Sequence, residues 1–143
     1  MPGDGAPALG APAVGAPAVG GHAFGAPTAG AREHRRLILA RHGQTAWNAE
    51  GRFQGQADPP LDATGLAQAE RLAAEVLALR LDVLVSSDLL RARQTAMVVS
   101  RACGLEVELD RDLREIDLGL WQGLHRRQAS ERFPEEYRHW SHL

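Results

Sequence analysis

A histidine between an arginine and a glycine is the first group in this sequence that could do chemistry. Arg41, His42 and Gly43 follow the short apolar run at residues 37–40, which predicts a buried strand that ends where they begin. In an open α/β sheet, ligands bind at that edge. A guanidinium beside an imidazole, next to a glycine that lets a ligand approach the backbone, is suited to an anion. An ordinary surface loop is the alternative interpretation of the tripeptide alone.

Two more ionisable side chains are predicted to lie near the same edge. Arg91 falls in the first turns of a predicted helix, and Glu115 lies in a later glycine-containing loop. Arginines bind a phosphomonoester dianion by paired hydrogen bonds, and a helix N-terminus adds backbone donors. A neutral imidazole attacks phosphorus, and neighbouring arginines disfavour its protonation. With Glu115 holding the proton that the leaving alkoxide needs, these groups predict two-step hydrolysis through a phosphohistidine on His42.

Periodicity predicts the elements that position these groups, and strands alternate with helices along the chain. After the strand at 37–40, the pattern predicts a loop at 45–60, a helix at 62–79 with Asp62 as N-cap and a buried strand at 83–85. A helix at 88–102 follows, capped by Ser86-Ser87 and stopped by Gly104, and then a more exposed strand at 105–109. The remaining elements are a loop at 113–123, a helix at 124–133 and, after Pro134, a further helix at 135–143. Two strand–helix units with short connections predict an α/β fold with a parallel sheet and right-handed crossovers.

The first residues of the chain differ in composition from the rest. Glycine recurs at every fifth position from Gly5 to Gly30, in repeats related to Gly-Ala-Pro-Ala-Val. Proline and glycine with few large apolar residues cannot offset the entropy of ordering, so residues 1–31 are predicted to be a disordered tail. A passive extension is preferred over a docking segment. Residues 32–143 are then predicted to form one domain with a single core.

Composition also argues against several classes of partner. A net charge of −2 and a pI near 6.3, with few aromatic residues, argue against nucleic-acid binding. No apolar run approaches the ~20 residues that span a bilayer and no signal peptide is recognisable, so the cytoplasm is the expected location. The single cysteine, Cys103, is expected to be small apolar filler near a helix end. No metal-ligand set is visible, and the chemistry needs neither a metal nor another cofactor.

An ordered series of motifs covers nearly all of residues 36–123. In chain order they are Arg41-His42-Gly43-Gln44-Thr45 with Asn48, Arg52-x-Gln54-Gly55, Asp58-Pro59-Pro60-Leu61 with Gly65, Ser86-Ser87-Asp88-Leu89-x-Arg91-Ala92-x-Gln94-Thr95-Ala96, and Leu113-x-Glu115 with Gly119, Trp121 and Gly123. In this series the sequence resembles the histidine phosphatase superfamily. The resemblance implies a three-layer α/β/α phosphoglycerate mutase-like fold with a mostly parallel sheet, and a small phosphorylated metabolite as the partner.

The resemblance also implies a role for each matching residue. His42 is the phosphorylated nucleophile, and Glu115 is the acid and base. The phosphoryl group is bound by Arg41, Asn48 and Arg91. Gln54 falls in the loop that lines the pocket mouth in such enzymes, where contact with substrate and a plain turn role are the two alternatives.

Within this family the sequence is more similar to phosphatases than to mutases. Mutases typically have Phe-Thr-Gly-Trp where this chain has Phe-Gln-Gly-Gln at 53–56, and Asn-Glu-Arg-His-Tyr-Gly near its residues 114–119. Neither mutase motif is present. Hydrolysis is therefore expected ahead of mutase-type phosphoryl transfer.

The resemblance implies a second active-site histidine, in a His-Gly motif that follows a later strand and also holds the phosphate. No strand followed by His-Gly occurs after Glu115 in this sequence. The later histidines His125, His139 and His142 are expected at the surface. The fold is accordingly expected to be C-terminally incomplete, with an exposed apolar edge. Loss of one phosphate donor can cost ~3 kcal/mol, or about a hundredfold in rate. A truncated, weakly active or inactive phosphate-binding remnant that acts as an interaction module is therefore the main alternative function. The substrate and the oligomeric state stay open.

Overall fold

The computed structural model describes residues 35–142 as short strands and helices joined by ordered loops. The elements are α1 (Ala46–Glu50), α2 (Ala63–Leu77), β1 (Leu84–Ser86), α3 (Leu90–Cys103), β2 (Val107–Leu109), α4 (Arg126–Arg132) and α5 (Pro134–Ser141), with 3₁₀ turns at Arg111–Leu113 and Gly119–Trp121. Residues from Ile38 onward form one compact unit. The tail predicted at residues 1–31 and its boundary with the domain lie outside the described residues.

The sheet is small and parallel. β1 pairs with β2 in the register Leu84 to Val107 and Ser86 to Leu109, and α3 is the crossover between the two strands. This pairing confirms the predicted α/β class with a parallel sheet. None of the helices described here is both long and apolar enough to cross a lipid bilayer.

The core lies between α2 and α3. Ala73 and Val76 of α2 pack with Val99 of α3, and β1 adds Leu84 to the edge of this cluster. The half-buried Cys103 packs there as well, at the last residue of α3, as predicted. The amphipathic pattern of the two helices thus had one cause, which is their burial against each other.

The helix ends follow the predicted caps with one exception. Asp62 Oδ1 accepts a hydrogen bond from Gly65 N at 2.8 Å, which fixes the start of α2. α3 ends at Gly104, which adopts the left-handed conformation with φ of 71°. The predicted Ser86-Ser87 cap is wrong, because α3 begins at Leu90 and its N-cap Leu89 provides no side-chain cap.

The strand predicted at residues 37–40 is not formed. Within the described residues, no backbone hydrogen bond joins 38–41 to either strand, and Leu39 is 85% exposed. An apolar run becomes a strand only where a neighbouring strand completes its hydrogen-bond ladder. The prediction that 83–85 is buried is also wrong, since Val83 is exposed and Val85 is 45% exposed.

The loop predicted at 45–60 contains a helical turn, α1. Thr45 and Asn48 form a reciprocal capping box: Asn48 N donates to Thr45 Oγ1 at 3.1 Å, and Thr45 N donates to Asn48 Oδ1 at 3.0 Å. Two of the orphan donors at the start of the helix are satisfied in this way. The Thr-x-x-Asn spacing was the available sequence signal for this turn.

Candidate active site

The segment that carries His42 is held in place by α2 and α3 rather than by a strand. Gly43 N donates to Thr95 Oγ1 of α3 at 3.1 Å. A Cβ on Gly43 would collide with the backbone of Gly65 in α2, so only glycine permits this approach. These contacts fix the backbone on which the imidazole stands.

One tautomer of His42 follows from its hydrogen bonds. Nδ1 lies 2.7 Å from the carbonyl oxygen of Gly43. Because a carbonyl oxygen only accepts, Nδ1 carries the proton, and Nε2 accepts from Arg91 Nε at 3.2 Å. The nitrogen with the free electron pair is therefore Nε2, which faces the arginine.

The environment keeps this imidazole neutral near pH 7. Burial lowers the pKa of His42 below its ordinary value of 6.5. The guanidiniums of Arg91 and Arg41 act in the same direction, whereas the hydrogen bond to Gly43 and the carboxylate of Glu115 oppose it. A neutral imidazole with Nε2 unprotonated is the form that acts as a nucleophile.

Arg91 joins the histidine to the carboxylate. The residue is 1% exposed, and its Nη2 bonds to Glu115 Oε2 at 2.8 Å while Nε bonds to His42. Two carbonyl oxygens, those of Gly55 and Ala57, accept its remaining short bonds at 2.8 and 2.9 Å. A guanidinium anchored by two backbone carbonyls thus holds His42 and Glu115 at one place in the fold.

Two amide side chains present donors beside this group. Asn48 Oδ1 accepts from Thr45 N, and Gln54 Oε1 accepts from Thr45 Oγ1 at 2.7 Å. With both amide oxygens engaged on Thr45, the NH₂ groups of Asn48 and Gln54 have no partner among the described residues. Both side chains line the cavity that Arg41 and Glu115 also line, where their amide groups can donate hydrogen bonds.

A cavity of about 310 Å³ is lined by four of the six predicted site residues, namely Arg41, Asn48, Gln54 and Glu115. A second cavity of about 260 Å³ shares Arg41 and is lined by His42. Arg91 lines neither cavity but bonds to a residue of each. The structure therefore brings all six predicted residues together.

Two residues that the sequence did not predict, Arg126 and Trp140, also line the larger cavity. The Arg126 guanidinium stacks on the Trp140 ring, 5.2 Å from its centroid, and 5.9 Å from that of Phe53. Trp140, on α5, also meets the Phe53 ring edge-on at 5.2 Å. No local motif marks these positions, because they reach the cavity only when α4 and α5 fold back over the loop of Phe53.

The later histidines do not line either cavity. His139 is exposed and its Nδ1 bonds to the carbonyl oxygen of Glu135 at 3.0 Å, and His142 is exposed at the end of α5. His125 is half-buried as the N-cap of α4. Within residues 35–142, no cluster of three or more His, Cys, Asp or Glu side chains is arranged to hold a metal ion.

Comparison with known proteins identifies the class to which this fold and site belong. The family model of the histidine phosphatase superfamily, branch 1, matches residues 37–143. The chain belongs to this superfamily, and the resemblance seen in the sequence is confirmed.

Individual relatives include both phosphatases and mutases. Phosphoserine phosphatase 1 of Hydrogenobacter thermophilus is 42% identical over 105 residues, which cover 73% of this chain and 50% of the relative. The probable phosphoglycerate mutase GpmB of Enterobacter sp. (strain 638) is 45% identical over 89 residues, covering 62% and 41%. A solved structure of a mycobacterial glucosyl-3-phosphoglycerate phosphatase complexed with VO3 is 45% identical, with a TM-score of 0.62 over 69% of this chain and 49% of that one. The chain spans about half the length of the curated relatives that it matches.

Proposed function

We propose that this chain hydrolyses phosphomonoesters through a phosphohistidine on His42, with Glu115 as the proton donor. The observation that carries the proposal is the Arg91 guanidinium, which bonds to His42 Nε2 and to the Glu115 carboxylate at once. Nucleophile, anion-binding group and acid are thereby adjacent before any ligand binds. Such preorganisation is what lowers the barrier to phosphoryl transfer.

In the first step, the Nε2 electron pair attacks phosphorus and the P–O bond to the leaving group breaks. The Arg91 Nε–H, which now caps Nε2, turns to a phosphoryl oxygen, and Arg41 neutralises a second oxygen. The amide NH₂ groups of Asn48 and Gln54 donate to the same group. Glu115, protonated for this step, gives its proton to the leaving alkoxide.

In the second step, water attacks the phosphohistidine. The Glu115 carboxylate takes a proton from that water, the P–N bond breaks, and Nε2 regains its electron pair. Inorganic phosphate leaves and the site returns to its starting state. Glu115 is suited to this exchange because its side chain is 46% exposed and therefore accessible to water and to a leaving group.

The proposed substrate is a small phosphomonoester with a carboxylate on its leaving group. Phosphoserine and glucosyl-3-phosphoglycerate, named in two of the relatives, both carry one. Arg126, on the cavity wall, has no carboxylate partner among the described residues and is placed to receive such a group. Hydrolysis is preferred over mutase-type transfer because both mutase motifs are replaced.

The test is phosphate release from p-nitrophenyl phosphate by the purified chain and by His42→Ala. His139→Ala is the matched control, because it removes an exposed imidazole outside both cavities. We expect turnover and an acid-labile phosphoprotein in the wild type and the control, and neither in His42→Ala. A folded wild type as inactive as His42→Ala would overturn the proposal and leave phosphate binding without turnover.

A further inference from the structure

A second arginine, Arg114, stands beside Glu115 and makes a two-pronged ion pair with Asp88. Arg114 Nε lies 2.6 Å from Asp88 Oδ1, and Nη2 lies 2.5 Å from Oδ2. Asp88 is three positions before Arg91, in the segment that leads into α3. The hydrogen bonds from Arg114 hold the pKa of the Asp88 carboxyl below its ordinary value. This fork-to-carboxylate geometry constrains orientation as well as distance.

The two arginines connect the same three segments of the chain. Arg91 binds the carbonyl oxygens of Gly55 and Ala57, and Arg114 Nη1 lies 3.4 Å from Oε1 of the intervening Gln56. Arg91 is buried inside the site, whereas Arg114 is half-buried on its outer side. The ion pair of Arg114 with Asp88 therefore joins, nearer the surface, the same segments that Arg91 joins in the interior.

Few contacts of its own hold the Glu115 side chain. Its side chain makes one hydrogen bond among the described residues, to Arg91 Nη2. No backbone hydrogen bond in the described part holds residues 115–117. A half-exposed carboxylate on an unpaired loop adopts many orientations unless a neighbouring residue fixes its backbone.

We propose that Arg114 and Asp88 are a positioning pair that holds the Glu115 carboxylate against Arg91, on the side of the cavity where the leaving group departs. Neither residue lines either of the two cavities. The proposal rests on the proposed role of Glu115 as proton donor. The added claim is that the Arg114–Asp88 ion pair keeps the Glu115 side chain in position.

The dependence of the rate on the leaving group tests the pair. An alkyl phosphate such as phosphoserine needs a proton donor, whereas p-nitrophenolate leaves with little help. We expect Arg114→Gln and Asp88→Ala to lower kcat at least tenfold on phosphoserine but less than about threefold on p-nitrophenyl phosphate, since general acid catalysis contributes at least ~100-fold. Equal losses on both substrates, or none, would overturn the proposal.

Three further variants separate positioning from general damage. Arg111→Gln is the matched control, because the Arg111 side chain is 77% exposed and its Nε lies 3.9 Å from Asp88 Oδ2, which is too far for a hydrogen bond. This variant should change neither rate. The double variant Glu115→Gln with Arg114→Gln should lose no more than Glu115→Gln alone. Exchange of the pair, Asp88→Arg with Arg114→Asp, should recover part of the phosphoserine rate. Full additivity in the double variant would contradict the proposal.

Titration of His42 by NMR tests the pair without turnover. The charged groups that face His42 are Arg91 and Arg41, which lower its pKa, and Glu115, which raises it. If Arg114→Gln releases Glu115, the pKa of His42 falls, as it does in Glu115→Gln. Loss of the Arg114 charge alone has the opposite sign, so an unchanged or raised pKa would overturn the proposal. If the wild type hydrolyses neither substrate, the proposed function fails and this titration alone decides.

Discussion

At the scale of the residue, the site depends on one guanidinium whose hydrogen bonds are almost all taken. Arg91 donates to two backbone carbonyls, to His42 and to Glu115, so its position is fixed by the fold and not by a ligand. Because the guanidinium is already held in place, its side chain loses little further conformational entropy when it binds an anion. The motif containing Arg91 and the tripeptide Arg41-His42-Gly43 marked both groups in the sequence. Their positions follow from contacts distant in sequence, those of Gly43 with α2 and α3 and those of Arg91 with the carbonyls of residues 55 and 57.

The lowered pKa of His42 predicts how activity depends on pH. Attack requires unprotonated Nε2, so kcat/KM should rise with pH through a midpoint below 6.5. Arg41→Gln removes one cause of the lowering and should move the midpoint upward. As pH falls below 6.5, the unfolded chain binds a proton at His42 before the folded chain does, so stability falls too. Rate profiles and urea unfolding at several pH values measure the two effects. A midpoint above 6.5 in the wild type would contradict this account.

Arg126 predicts a preference among substrates. Arg126→Gln should raise KM for phosphoserine about tenfold, since a charged hydrogen bond contributes ~1.5–3 kcal/mol and the site is open to water. KM for p-nitrophenyl phosphate, which lacks a carboxylate, should change little. Arg127→Gln is the control, because Arg127 is the next residue but pairs with Glu131 on the exposed side of α4. Equal effects of the two variants would remove Arg126 from the site.

At the scale of the element, the critical contact is the approach of α2 to the loop of His42. A Cβ on Gly65 would collide with the backbone of Gln44. In an isolated helix, Gly→Ala is stabilising by up to ~1 kcal/mol. The fold reverses that sign here, because the loop backbone occupies the space that the methyl group needs.

Gly65→Ala should therefore destabilise the protein by about 1–3 kcal/mol and displace His42. Thr64→Ala, one residue earlier on the exposed side of α2, should leave stability unchanged or slightly raised. Urea unfolding compares the two variants, and phosphate release reports the effect on His42. A Gly65→Ala protein as stable as the wild type would show that α2 shifts at no cost.

The sequence was sufficient for α2 with its N-cap Asp62, and for α3 with its C-terminal Gly104, because these caps and the apolar faces are local, whereas the predicted N-terminal cap of α3 was wrong. It was not sufficient for the strand predicted at 37–40, since whether an apolar run becomes a strand depends on a partner elsewhere in the chain. Gln54 illustrates the same limit within the site. Its amide orientation follows from Thr45, nine positions away, and both substrate contact and a turn role had been compatible with the sequence.

At the scale of the whole molecule, several apolar side chains around the small sheet are exposed among residues 35–142. Val83 and Val85 lie two positions apart on β1 and its approach, so they face the same side, and Leu39 is largely exposed elsewhere. These three side chains are apolar surface in contact with water. Surfaces of this kind bind a further apolar surface when one is present.

This exposure predicts association in solution. The chain should form dimers or larger species at micromolar to millimolar concentration, and the double variant Val83→Thr with Val85→Thr should shift that equilibrium toward the monomer. Thr keeps the β-branched shape, so the unfolding midpoint should change little. Sedimentation equilibrium measures the association. A wild type that stays monomeric throughout this range would contradict the prediction.

The aromatic residues beside the larger cavity give the site an optical property. Trp121 and Trp140 lie with ring centroids 5.9 Å apart and nearly perpendicular, and Trp140 carries the Arg126 guanidinium on its face. Excited states of indoles this close are coupled, and a cation on the ring perturbs emission. An anion that draws Arg126 away from Trp140 should therefore change the fluorescence and near-ultraviolet circular dichroism of the unlabelled protein. Binding at this site can then be followed in the native chain by light alone.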